Sequence, residues 1–172
     1  MVARTGTTAV PALVPDAEPL LRLAAEVDGA AVRPGVPAHA ALLYPWLPAD
    51  EVGEPELHRL RTALPAGPIP VGLTEVQRTG GFVGVPVPGL SRVADAVPTA
   101  FPAQVPYGAR FGPRPPVHVT VALDAAPGAA AVIARRTAAA LPITTVIRAL
   151  HVVGLTSTGW QGLAELPLGH PQ

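Results

Sequence analysis

The stretch Pro116-Val117-His118-Val119-Thr120-Val121-Ala122-Leu123 has the β-branched, apolar composition of a buried strand. His118 and Thr120 interrupt that composition. Because successive side chains of a strand point to opposite faces, these two polar groups share one face. An apolar strand has no structural need for an imidazole beside a hydroxyl, so we interpret this stretch as part of a functional site.

A near copy of this strand lies upstream, in Pro37-Ala38-His39-Ala40-Ala41-Leu42-Leu43-Tyr44-Pro45. His39 occupies the same place in its strand as His118, and Ala41 takes the place of the threonine. A single histidine in an apolar strand is commonly a core residue with its hydrogen bonds satisfied. Two histidines in matching strands favour a shared functional role.

The remaining sequence alternates apolar patterns of helical and strand period. The Gly80-Gly81 dipeptide indicates a hairpin between the strands on either side of it. Each histidine strand is followed by a helix and then by further strands, which predicts one α+β domain over residues 1–172, built from two similar lobes. The predicted strands are 7–14, 37–45, 69–77, 82–87, 117–123, 144–155 and 160–166, and the predicted helices are 16–28, capped by Asp16, 50–64, 90–101 and 129–141.

The composition removes several classes of chemistry. The 172 residues include no cysteine, which excludes disulfides, thiolate catalysis and cysteine-bound zinc. All 12 basic residues are arginine, so lysine Schiff bases and Walker-type phosphate loops are excluded as well. No apolar run is long enough to cross a membrane, and the N-terminus lacks the apolar region of a signal peptide, so we expect a cytoplasmic protein without membrane contact.

The charge of the chain limits its partners. The 12 basic residues are balanced by 12 acidic ones, whereas binding a long phosphate backbone depends on neutralising many phosphates. A small anionic ligand or the end of an oligonucleotide fits this balance better. The histidines have no close helical spacing and no acidic cluster beside them, so we expect no metal site.

The two histidine strands resemble the 2H phosphoesterase superfamily, which contains the 2′-5′ RNA ligase and cyclic phosphodiesterase proteins. Residues 35–46 are similar to the first motif of that family with its flanks, and residues 116–121 are similar to the second. The strand that starts at Trp160 and residues 167–169 also look like that family. The resemblance implies a bilobal, pseudo-twofold α+β fold with two mainly antiparallel sheets, outer helices and a central cleft between the lobes.

The resemblance also implies a reaction. His39 and His118 would be the catalytic acid and base that open a 2′,3′-cyclic phosphate or cleave a 2′-5′ linkage in a nucleotide or short RNA. An imidazole suits both tasks, because its ordinary pKa of about 6.5 lies near neutral pH. No metal and no other cofactor are implied, and we expect a monomer. Which histidine is the base stays open, and the residues expected to bind the substrate are Thr120, Ala41, Tyr107 and Arg110.

Ala41 departs from the family pattern, which has a hydroxyl at this position. Losing one hydrogen bond to a charged group costs about 1.5–3 kcal/mol. Three interpretations therefore stay open: a weakened enzyme of this type, a site for an altered substrate, and a site that binds without turnover. Outside the phosphoesterase interpretation, the alternatives are a nucleotide- or RNA-end-binding module and a tailoring enzyme that uses the histidine pair on another small molecule.

Overall fold

The computed structural model of the protein describes residues 6–105 and 116–169. It confirms the α+β class, and every strand pair among these residues is antiparallel. No helix of the described residues is both long and apolar enough to cross a membrane. The elements, in chain order, are β1 (Thr8–Leu13), α1 (Glu18–Val27), β2 (His39–Leu43), α2 (Glu54–Thr62), β3 (Ile69–Leu73), β4 (Gln77–Thr79), β5 (Phe82–Pro86), α3 (Ser91–Ala100), β6 (His118–Ala122), α4 (Pro127–Ala140), β7 (Ile143–Ile147), β8 (Ala149–Thr156) and β9 (Gly159–Pro167).

The strands form two sheets. The larger has seven strands in the order β4-β5-β6-β2-β1-β8-β9, and the smaller pairs β3 with β7. The two histidine strands, β2 and β6, are therefore direct neighbours in the middle of the larger sheet. No local pattern in the sequence predicts that β2 and β6 are adjacent. Their pairing brings the two histidines together.

One face of the larger sheet forms the main core. Four small side chains from four neighbouring strands line up across this face and are fully buried: Ala12, Ala40, Val119 and Val85. Helix α1 packs near β6 and α3 packs near β2. Because side chains alternate along a strand, burying this row turns the histidines toward the other face.

The structure corrects three sequence predictions. The strand predicted over 144–155 is interrupted at Arg148, so that β7 and β8 belong to different sheets. The strand predicted over 69–77 is likewise split, and the Gly80-Gly81 hairpin joins β4 to β5 while β3 pairs with β7. Asp16 lies in a 3₁₀ turn before α1 and makes no capping hydrogen bond. The apolar pattern of the sequence does not reveal where the chain passes from one sheet to the other, because side chains alternate with the same period in the strands of both sheets.

The turn between β8 and β9 packs closely on the loop that leads into β2. The Trp160 backbone N–H donates to the Gly35 carbonyl oxygen at 3.2 Å. Both glycines at this contact have positive φ, +73° for Gly35 and +137° for Gly159. A Cβ on Gly159 would lie 2.6 Å from the Gly35 carbonyl oxygen, and one on Gly35 would collide with the Thr158 carbonyl oxygen. Only glycine at both positions allows the two backbones to approach this closely.

We expect Gly159→Ala to destabilise the protein by at least about 2 kcal/mol, because φ and the space are both unsuitable for a side chain. The control is Gly162→Ala in the same strand, where a Cβ meets nothing within 4 Å. The control should change stability by no more than about 0.5 kcal/mol. Urea unfolding measures both, and equal effects for the two variants would contradict the close contact.

Candidate active site

The register between β2 and β6 defines the site. Ala40 lies opposite Val119 in an antiparallel pair. Since side chains alternate, the residues on either side of this pair point to the opposite face from the core. The four residues that the sequence singled out therefore form two facing pairs: His39 with Thr120, and Ala41 with His118. All four are partly exposed, whereas Ala40 and Val119 are fully buried.

The two histidines lie diagonally across this four-residue face. Diagonal neighbours on an antiparallel pair are roughly 7 Å apart at Cβ. The positive charge of protonated His118 acts on His39 and lowers its pKa. The Thr120 side chain lies on the same face as the two imidazoles.

Three contacts position His39 and the residue before it. Its Nδ1 lies 2.9 Å from the Pro37 carbonyl oxygen. The preceding residue, Ala38, donates its backbone N–H to the Glu18 carboxylate at 2.6 Å. The indole of Trp160 covers the imidazole, with ring centroids 4.2 Å apart and planes tilted by 58°. The close contact between Gly35 and Gly159 therefore also matters for the site, because it positions Trp160 against His39.

His118 is held in the same way on its own strand. Its Nδ1 lies 3.2 Å from the Pro116 carbonyl oxygen. The ring of Phe82 meets the imidazole edge-to-face at a centroid distance of 5.0 Å. Gly84, opposite Thr120, makes room for this ring, since a Cβ on Gly84 would lie 2.5 Å from the Phe82 Cζ.

These contacts decide the tautomer of both histidines. A carbonyl oxygen can only accept a hydrogen bond, so Nδ1 of each imidazole carries the proton and donates it. In a neutral imidazole the other nitrogen, Nε2, is then an acceptor. Each histidine therefore offers an unprotonated Nε2 when neutral and an Nε2–H donor when charged, which is the pair of states that proton transfer requires.

Burial shifts the titration of both rings. Loss of water around the imidazolium lowers the pKa of His39 to about 4, against a smaller opposing contribution from its hydrogen bond to Pro37. The positive charges of His118 and Arg33 lower the pKa of His39 further. Burial also lowers the pKa of His118, opposed by its bond to Pro116. Both imidazoles are thus mainly neutral at pH 7 in the absence of a ligand.

Several residues of the site carry no local signal in the sequence. Glu18, Arg33 and Phe82 reach the histidines from α1, from the loop before β2 and from β5. Trp160, in the strand that resembles the family, packs on His39 itself. Among the residues expected to bind substrate, Tyr107 and Arg110 lie outside the described residues.

Two open grooves of the surface do not include the site. Two open grooves, of about 720 and 480 Å³, lie between α2 and α3 and between α1 and α4, and neither histidine lines them. Within residues 6–105 and 116–169, no group of three or more histidine or carboxylate side chains is placed to hold a metal ion. Side-chain chemistry, and not groove size, therefore locates the candidate site.

Comparison with protein families gives a match over most of the chain. The sequence model of the 2′-5′ RNA ligase superfamily matches residues 11–158, a span that contains both histidine strands. The chain belongs to the 2′-5′ RNA ligase superfamily. This membership confirms the resemblance to the 2H phosphoesterases that the two motifs indicated. No curated protein matches the sequence.

Solved structures share the fold of this superfamily member at low sequence identity. The structure of TT0787 of Thermus thermophilus superposes with a TM-score of 0.57 and 16% identity, over 96% of this chain and 100% of that one. E. coli LigT complexed with NADP+ gives a TM-score of 0.60 and 14% identity, over 98% and 100% of the two chains. LigT complexed with ATP gives 0.57 and 12%, over 97% and 100%.

The lowered pKa of His39 makes stability depend on pH. Its folded-state pKa of about 4 lies below the ordinary value of about 6.5, so protons bind the unfolded chain preferentially as the pH falls. Above pH 6.5 the lowered pKa of His39 costs the folded state nothing. As the pH falls from 6.5 to 4, the free energy of unfolding decreases by about 3 kcal/mol. We expect His39→Gln to remove this dependence in urea unfolding at a series of pH values.

The matched control for this measurement is His58→Gln. His58 lies on the exposed side of α2 and is not a residue of the site, so this variant tests whether the loss of any imidazole alters the slope of stability against pH. An unaltered slope in His39→Gln would contradict the buried, neutral imidazole.

Proposed function

We propose that the protein is a phosphoesterase that opens 2′,3′-cyclic phosphates or cleaves 2′-5′ linkages in nucleotides or RNA ends. The observation that carries this proposal is the pair of imidazoles on one face of neighbouring strands, each with Nδ1 bonded to a backbone carbonyl and Nε2 left for proton transfer. Membership of the 2′-5′ RNA ligase superfamily supports it.

The proposed reaction uses one imidazole on each side of the phosphorus. His39 accepts a proton from water through Nε2 as the water oxygen bonds to phosphorus. His118, protonated on Nε2, donates its proton to the ribose oxygen as the phosphorus–oxygen bond to that oxygen breaks. The product is a phosphomonoester with a free neighbouring hydroxyl. Because two imidazoles supply both proton transfers, the proposal needs no metal.

The environments of the two rings support this proposed assignment of roles. Trp160 and burial hold His39 neutral down to a pH of about 4, which suits the residue that must accept the proton. The hydrogen bond of His118 is more exposed to solvent than that of His39, so His118 takes up a proton more readily. A bound phosphate anion favours the protonated form of His118, which the departing oxygen requires.

Thr120 is the proposed partner of a phosphoryl oxygen, since its hydroxyl shares the face of His39 and lies beside it. Ala41 holds the corresponding place beside His118 and offers only a methyl group. Tyr107 and Arg110 are proposed to contact the base and the phosphate of the substrate.

Nucleotides are the substrate class that we favour. LigT has been crystallised with NADP+ and with ATP, and its fold covers nearly this whole chain. We further propose that the protein acts as a cytoplasmic monomer whose single domain, residues 1–172, is made of two similar lobes.

The presence of Ala41 favours one second candidate, a module that binds nucleotides or RNA ends without turnover. A tailoring enzyme using the same histidines on a non-phosphate centre is the third.

We expect His39→Ala and His118→Ala each to lower kcat/KM for adenosine 2′,3′-cyclic phosphate by about 10²–10⁴-fold, because each removes a proton carrier. Phosphorus-31 NMR follows the cyclic phosphate and its monoester product directly. The control, His58→Ala on α2, should retain full activity, and turnover should persist in excess EDTA.

Three other outcomes would decide against the proposal. Binding without hydrolysis by the unaltered protein would favour the binding module. Hydrolysis that survives both histidine substitutions would remove the imidazoles from the reaction. Failure of every cyclic phosphate and 2′-5′ dinucleotide offered, together with neither binding nor turnover, would overturn the phosphoesterase assignment.

A further inference from the structure

The loop before β2 runs along one edge of the candidate site and is anchored on both sides of it. We define residues 31–37 as the rim loop. The Ala31 carbonyl oxygen accepts from the Leu123 backbone N–H at 2.9 Å, next to the end of β6. The Gly35 carbonyl oxygen accepts from the Trp160 backbone N–H at 3.2 Å, at the start of β9. The rim loop therefore bridges the strand of His118 and the indole that covers His39.

Arg33 lies between these two anchors. Its side chain is exposed, and within the described part of the chain it makes no ion pair or hydrogen bond. Its positive charge is close enough to His39 to lower the pKa of that imidazole. The loop that carries Arg33 leads into His39 at the start of β2, and its Ala31 end is bonded to Leu123, directly after β6.

Among the described residues, no ion pair joins Arg33 to the nearby Glu18 carboxylate. Glu18 also acts on the titration of His39, but its Oε1 accepts the Ala38 backbone N–H at 2.6 Å. The described residues contain one side-chain ion pair, between Arg61 and Glu54, on α2 and away from the site. The guanidinium of Arg33 thus has no described carboxylate partner and is available to an anion.

The site needs such a charge. The four residues of its face are two imidazoles that are neutral at pH 7, one hydroxyl and one methyl group, so the face itself carries no fixed charge. A phosphodiester carries one negative charge, and more charge develops on its oxygens as water adds. A guanidinium can donate two parallel hydrogen bonds to phosphoryl oxygens, and charge-assisted bonds of this kind are the stronger ones.

We propose that Arg33 binds a non-bridging phosphoryl oxygen of the substrate at the His39–Thr120 edge, and supplies the anion recognition that Ala41 lacks. This proposal rests on the proposed phosphoesterase function. It adds a ligand-binding residue that neither histidine motif contains, held in place by the two anchors of the rim loop.

The test compares Arg33→Gln with Arg33→Lys and with a matched control, Arg136→Gln, on the exposed surface of α4. We expect Arg33→Gln to raise KM for adenosine 2′,3′-cyclic phosphate and to lower kcat/KM by about ten- to a hundredfold, the loss expected for a charge-assisted hydrogen bond. Arg33→Lys should recover part of the loss, since it keeps the charge but not the paired donors. Arg136→Gln should behave as the unaltered protein does.

Binding of inorganic phosphate, measured by calorimetry, separates this proposal from the proposed function. Loss of phosphate binding in Arg33→Gln, with binding retained in Arg136→Gln, supports the role of Arg33 whether or not the protein turns over a cyclic phosphate. Turnover and phosphate binding that are both insensitive to Arg33 overturn it and leave the phosphoesterase proposal standing. Absence of phosphate binding by the unaltered protein also overturns it.

An NMR titration of His39 checks the placement independently of any ligand. Removing a positive charge near an imidazole stabilises the protonated form, so the pKa of His39 should rise in Arg33→Gln and stay unchanged in Arg136→Gln. An unchanged pKa of His39 in Arg33→Gln would show that the rim loop does not hold Arg33 beside the site.

Discussion

The pairing of Ala40 with Val119 is the contact on which the site depends. It joins two strands that lie far apart in the sequence, and its register alone decides which side chains face each other. A shift by one residue would turn the histidine of the shifted strand into the core. The buried row of alanines and valines on the opposite face opposes such a shift, because the shift would place an imidazole among fully buried apolar side chains. Core packing on one face of the sheet thereby determines which side chains lie together on the other face.

The second constraint is the balance between burial and solvation at the imidazoles. Trp160 and Phe82 remove water from the two rings, while the Pro37 and Pro116 carbonyl oxygens satisfy one nitrogen of each. Burying a ring with both nitrogens unsatisfied would be costly, whereas these rings keep one nitrogen bonded and one available to a ligand. The result is a pair of neutral bases with a defined tautomer, poised to take up a proton when an anion arrives.

The sequence predicts the periodic part of this structure well. Alternation in the apolar stretches indicates the strands, and the two matching histidine strands indicate the site and the family. What it cannot show are contacts between residues distant in the chain. Glu18 reaches Ala38 from α1, and Phe82 reaches His118 only because Gly84 leaves the space. The change of sheet at Arg148 is hidden for the same reason, since partners are chosen in three dimensions.

We propose that both imidazoles keep the proton on Nδ1 and turn Nε2 toward one shared ligand. Long-range proton–nitrogen NMR of protein labelled with nitrogen-15 in histidine tests it directly, with and without inorganic phosphate at pH 7. We predict the Nδ1–H tautomer for His39 and His118, and a shift of both Nε2 signals on addition of phosphate. A proton on Nε2 of either ring before phosphate is added, or a response from only one of them, would contradict the account.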